Sequence, residues 1–142
     1  MRESGPLSVS LIICESVLNE STGAASAIRI MDVLTIGKLS RAIRFFVITY
    51  LHSYPGDFEE HVAKVRLLAQ RNGEWVSAAD APPHAFKYSY RMDPGGPGAF
   101  MLSTEFNLEV AKIGELGTFW IQLSVDQKDI ERTPLTLLWK AS

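Results

Sequence analysis

The chain has 142 residues, 46% of them hydrophobic and 21% charged, with a formal net charge of −2 and a single cysteine. These values fit one globular domain that buries a core without a disulfide or metal staple, and they exclude wholesale disorder. No long basic stripe offers to neutralise a phosphate backbone, and no apolar run is long enough to span a bilayer, so neither a nucleic acid nor a membrane is expected as partner. Cys14 has no second thiol to pair with, which fits a reducing cytoplasm.

Arg2 ahead of the apolar run Leu7 to Ile13, with Cys14 behind it, has the outline of a secretory or lipoprotein signal. Glu3 offsets Arg2, Ser8 and Ser10 interrupt the run, and bulky Ile13 stands where cleavage prefers a small residue. The segment reads instead as a first β-strand, Leu7 to Val17, followed by a polar loop from Asn19 to Ser26. A second β-prone run spans Ala27 to Ile36. Asp32 falls on its apolar face, where an unpaired charge is costly; Arg44 is a candidate partner, and a bulge that turns Asp32 outward is the preferred alternative. Ala42 to Tyr54 is apolar on both faces, the mark of a central, covered strand, and Pro55-Gly56-Asp57 ends it.

Phe58 to Gln70 supports two readings. Asp57 and Glu60 form a capping box, and Phe58, Val62, Val65 and Leu68 have helical spacing. Yet Ala63, Val65, Leu67 and Ala69 alternate with Lys64, Arg66 and Gln70, and Asn72-Gly73 is a strong hairpin signal. The strand, turning into Trp75-Val76, is preferred. Ser77 to Pro83 is loop-like, and Phe86 to Arg91 is a short strand with Phe86, Tyr88 and Tyr90 on one face. Asp93-Pro94-Gly95-Gly96-Pro97-Gly98 cannot hold a regular ladder.

Strict alternation from Phe100 to Val110 and from Thr118 to Val125 marks the two most regular strands. Their shared-face residues Phe106, Leu108, Phe119, Ile121 and Leu123 are the predicted core. Asp126 to Asp129 reads as a turn, and Leu135 to Trp139 as a last strand behind Pro134, which lacks a ladder donor and belongs at a strand start or an edge. The fold expected from this order is all-β: an antiparallel two-layer sandwich of about eight strands with room for one short helix, over residues 1–142.

The element order also resembles a family of small bacterial proteins of unknown function with compact β-sandwich folds. The residues behind the resemblance are Leu11-Ile12-Ile13-Cys14-Glu15, Ile28-Arg29-Ile30-Met31-Asp32-Val33, Tyr54-Pro55-Gly56, Asn72-Gly73, Gly117-Thr118-Phe119-Trp120-Ile121, Val125-Asp126 and Thr133-Pro134-Leu135. The resemblance implies a sandwich and brings no catalytic residues with it.

Motifs of known chemistry are sparse. Gly95-Gly96 lacks the lysine and the strand-to-helix setting of a phosphate cradle, and no nucleophile elbow is present. Cys14 in an apolar strand reads as inert packing. His52 and His61 flank the Pro-Gly turn near Asp57, Glu59 and Glu60 without a recognised metal spacing, and His84 stands apart. Asp80, Asp93, Asp126 and Asp129 are too scattered for a calcium-binding loop set. The sequence therefore implies no cofactor and no metal. It points to a non-enzymatic binding or assembly domain with a protein partner or a second copy of the chain in a homodimer. The alternative is a small hydrolase or metal-dependent enzyme whose site does not show in the sequence. Trp75, Tyr88 and Tyr90 are the candidate binding residues, since aromatic rings with a polar edge suit half-wet interfaces and sugar platforms.

Overall fold

A computed structural model describes residues 5–19, 25–90, 95–114 and 116–140. Two sheets pack face to face. Sheet A has the order β2-β1-β4-β8, formed by β1 (Ser8–Asn19), β2 (Ala25–Ile30), β4 (Ala42–His52) and β8 (Ala99–Glu109). Sheet B has the order β3-β10-β9-β5-β6, formed by β3 (Val33–Ile36), β5 (His61–Arg71), β6 (Glu74–Asp80), β9 (Gly117–Val125) and β10 (Lys128–Trp139), with β7 (His84–Phe86) also paired to β5. A single helical turn, α1 (Val110–Ile113), follows β8. The all-β sandwich holds, with ten strands among the described residues where about eight were expected, and β3 pairs in parallel with β10.

The expected core is the observed one. Phe106, Leu108, Phe119, Ile121 and Leu123 are buried, and they meet Phe45, Val47 and Leu51 of β4 and Val65 and Leu67 of β5 between the sheets. Phe45 and Phe106 stack with ring centroids 5.3 Å apart across the β4–β8 ladder. Each such side chain contributes about 1.5–3 kcal/mol on leaving water. β4 is central, flanked by β1 and β8, as its two apolar faces require.

Several boundaries differ from the sequence reading. The short strand read over Phe86 to Arg91 is instead β7, which ends at Phe86 where its pairing with His61 ends, and Ser89 beyond it makes an isolated bridge to Ala99. The run Ala27 to Ile36 is two strands in different sheets. The chain crosses between them at Met31-Asp32, where Met31 N–H donates to Ile13 C=O in sheet A and Asp32 C=O accepts Thr136 N–H in sheet B. Asp32 is exposed at this corner, and Arg44 pairs with Glu105 instead. β6 extends through Ser77 to Asp80, a stretch read as loop, because its pairing with β5 continues past a bulge at Leu67/Leu68. β10 begins at Lys128, so Pro134 lies inside the strand. It is tolerated because β9 pairs on one side of it while β3 pairs only Thr136 to Trp139 on the other.

Residues 61–71 are strand, and Asp57 serves a different purpose from a helix cap. Its Oδ1 accepts the N–H of Glu59 at 3.1 Å, a local turn that leads into β5. Two tight hairpins follow one rule. Asn72 and Gly73 (φ 52° and 81°) and Asp126 and Gln127 (φ 52° and 67°) adopt the left-handed conformation at both central positions, which matches the twist of the flanking strands. Residues 20–24 of the polar loop, residues 91–94, including Arg91 and Asp93, and Arg2 and Glu3 of the signal-like outline lie outside the described residues.

Candidate functional site

The three aromatic candidates do not share a surface. β5 pairs Gln70 with Trp75 at one end and His61 with Phe86 at the other. At about 3.3 Å per residue the two ends are roughly 30 Å apart. Trp75 is 42% exposed, whereas Tyr88 is 7% exposed and packs edge-on against Phe86 and His61. Tyr90 is half-buried and knits a loop: its hydroxyl accepts the N–H of Asp57, lies 2.9 Å from Asp57 C=O, and meets Ser53 Oγ at 2.9 Å. Ser53 Oγ in turn accepts the N–H of Gly98. A joint surface of Trp75, Tyr88 and Tyr90 is therefore corrected. The period-two stripe of Tyr88 and Tyr90 is packing, and Trp75 alone is presented to solvent.

The Tyr88 end holds a charge cluster assembled from three parts of the chain. His61 Nε2 lies 2.9 Å from both carboxylate oxygens of Asp57, and its Nδ1 lies 2.7 Å from Asp126 Oδ2. Burial alone would lower the proton affinity of this ring; the hydrogen bonds and charges of Asp126 and Asp57 outweigh it and raise the pKa above its ordinary value. Asp126 Oδ1 also accepts the N–H of Val62. Burial, reinforced by Asp57, Asp126 and Tyr90, pushes Tyr88 up to about 12. When His61 is protonated, both ring nitrogens donate to carboxylates, and the charged ring has no lone pair for a metal or for proton abstraction. His52 pairs with Ser8 Oγ at 3.0 Å and His84 stacks on Phe100, so the histidines do not converge.

The outer faces of the two sheets differ in kind. Sheet A carries an apolar depression of about 760 Å³ lined by Ile12, Ile30, Ile48, Tyr50 and Met101. It offers few groups to orient a ligand. The outer face of sheet B is aromatic at one end and polar along its length. The outward residues of β9 are Trp120, Gln122 and Ser124, and the registers set them beside Leu68, Arg66 and Lys64 of β5 and beside Pro134, Arg132 and Asp129 of β10. Trp75 and Trp120 meet edge to face with centroids 6.4 Å apart, and the Arg132 guanidinium lies 5.8 Å from the Trp120 ring. Toward the other end lies a cleft of about 660 Å³ lined by Val62, Lys64, Arg66, Pro83, Ser124 and Asp126.

Most of this face escaped the sequence reading, although a signal was present. Trp120, Gln122 and Ser124 alternate with buried Phe119, Ile121 and Leu123, so they had to point outward. What alternation did not contain was the partner strand that brings Arg66 and Arg132 alongside.

No family model and no curated protein matches the chain. Among solved structures it is similar to the Pseudomonas fluorescens alkylpurine DNA glycosylase AlkC bound to DNA containing an abasic site analog. The identity is 11% and the TM-score 0.44, over 90% of this chain and 30% of that one. A likeness at that level assigns neither activity nor partner. That neighbour was solved on DNA. The expectation that excluded nucleic acid does not stand on its own ground, because net charge sums over the whole molecule, whereas phosphate contact requires only a local cluster of cations. No helix among the described residues is long and apolar enough to cross a membrane.

Proposed function

We propose that this domain is a non-enzymatic binding module that holds a saccharide across the outer face of sheet B. The observation behind the proposal is the pairing of exposed Trp75 with half-buried Trp120 on an outward sheet face, beside a row of polar side chains. A sugar ring offers an apolar face to an indole and hydroxyls to neighbouring donors and acceptors, and the exposed side chains of Arg132 and Asp129 supply one of each kind on the same face, over buried Gln122 and Ser124. Being carried on strands rather than loops, these groups are held in place before any ligand arrives, which limits the entropy lost on binding. The titratable residues with shifted proton affinity are His61 and Tyr88, packed among their own partners, and Cys14, buried in β1, which favours binding over catalysis.

Affinity electrophoresis through gels containing soluble neutral or acidic polysaccharides tests the proposal. The expected result is retardation in at least one gel that Trp75→Ala and Trp120→Ala each abolish while both variants keep the wild-type melting temperature within a few degrees. Migration unaffected by every polysaccharide, or retardation indifferent to both substitutions, rejects it.

A further inference from the structure

We infer that the free edge of β8 receives an extended segment of another protein as an added strand, and that this segment alternates apolar with basic residues. Sheet A ends in β2 and β8, and sheet B in β3 and β6. Three of these edges are poorly suited to pairing. β3 is four residues long, β2 is six residues long and carries the left-handed Arg29 (φ 56°), and β6 is seven residues long with a register shift in its pairing to β5. β8 differs. It is 11 residues long, contains no proline, and keeps an unbroken register with β4 from Ala99 to Glu109.

The direction of its hydrogen bonds shows which backbone groups are open. Gly98 C=O accepts the N–H of Ser53 and Val110 N–H donates to Arg41 C=O, both on the β4 side. Ala99 faces the other way and exchanges both bonds with Ser89, at 2.8 and 3.0 Å. The N–H and C=O of one strand residue share a direction that reverses at the next. Met101, Ser103, Glu105, Asn107 and Glu109 therefore direct theirs away from β4, where no strand among the described residues pairs with them. Such a row, already fixed in strand geometry, is a template for another strand.

Two side-chain features define what that strand carries. A hollow of about 230 Å³ opens between the sheets beside the end of β8, lined by Ala78 and by buried Leu67, Leu108 and Ile113. An added strand sends alternate side chains to the inner side, so its residue opposite Leu108 stands over this hollow and buries there if apolar. On the outer side β8 presents Glu105 and Glu109. Their cations come from other elements and stay largely in solvent, Arg44 at 61% and Lys112 at 78% exposure, so a lysine or arginine directly opposite either carboxylate gains a cross-strand pair.

The same edge disfavours a second copy of this chain. The open stretch from Met101 to Glu109 is centred on Glu105, so two-fold pairing over its whole length sets Glu105 against its own image. Shifting that register by one residue runs the partner strand into the Ser89 bridge at one end or into α1 at the other.

The experiment pans the whole chain against a phage-displayed library of random nonapeptides and measures the enriched sequences as synthetic peptides by fluorescence anisotropy. The expected sequences carry lysine or arginine four positions apart with apolar residues between, the spacing of Glu105 and Glu109. N-methylation of one alternate set of peptide nitrogens, but not of the other, should weaken binding about tenfold or more, because only one set faces β8. Ser103→Pro should do the same, since it removes a donor from the open edge and none from the β4 ladder. Glu105→Gln combined with Glu109→Gln should remove the preference for lysine over glutamate in the peptide, and Trp75→Ala should change nothing. Melting temperatures control for folding, and where Ser103→Pro lowers its own, the N-methylated peptides decide. No enrichment, or binding indifferent to N-methylation of either set, overturns the inference. So does a dimer in sedimentation that Ser103→Pro dissociates, which would give the edge to a second copy.

Discussion

Replacing Asp126 by asparagine removes one of the two carboxylates that hold the His61 ring and alters little else. Asparagine is isosteric, can still accept the N–H of Val62, and suits the left-handed φ of 52° at this hairpin position. When His61 is charged, both nitrogens donate; when it is neutral, one nitrogen turns a lone pair toward a carboxylate oxygen. The folded-state pKa is raised above the unfolded value of about 6.5. The stabilisation is therefore complete below that value and is lost as pH rises through the raised folded value. A hydrogen bond to a charged group is worth about 1.5–3 kcal/mol. The Asp126 side chain is 52% exposed, so screening reduces its share to about 1 kcal/mol. Asp57, 17% exposed, retains the larger share. Urea denaturation from pH 5.5 to 9 is the assay. The wild type should lose stability across this range, and Asp126→Asn should start about 1 kcal/mol lower at the acid end and converge with it at the alkaline end. Two curves that stay parallel over the whole range would show that the proton on His61 is not coupled to Asp126, and the account of this cluster would be wrong.

Three further outcomes follow from packing. Phe119→Ala should cost about 3–5 kcal/mol, read as a lower urea midpoint at unchanged slope, because the ring is 2% exposed between the sheets; a loss under about 1 kcal/mol would place the core elsewhere. Gly98→Ala should cost about 1–3 kcal/mol. A Cβ there would stand 2.7 Å from Tyr88 Cβ, 2.9 Å from Tyr90 Cζ and 3.0 Å from Ser53 Oγ, and an unchanged melting temperature would contradict that closeness. Cys14 is fully buried and burial pushes its thiol up, so a disulfide reagent should label the native chain at least about a hundredfold more slowly than the urea-unfolded chain; equal rates would mean that β1 opens freely.

The sequence by itself determined the class of fold and the inner faces. Strict alternation in β8 and β9 leaves no choice of side, because a strand sends successive residues to opposite faces and only one set is apolar. Asn72-Gly73 likewise announced its hairpin through the left-handed conformation that such a turn demands. It could not separate strand from helix at Asp57 to Glu60, where one pattern of acids serves as a helix cap or a local turn, and the pairing of β5 with β9 decided the matter. Nor could it place Asp32, since no local rule says where a run of apolar residues leaves one sheet for the other. The candidate sites were the least legible. His61 meets Asp126 across 65 residues of chain, and Trp75 of β6 meets Trp120 of β9 across the intervening β5, strands that alternation describes but does not pair. Alternation fixes which way a side chain points. Which other side chains it points beside is set by strand order and register, and these exist only once the sheets have formed.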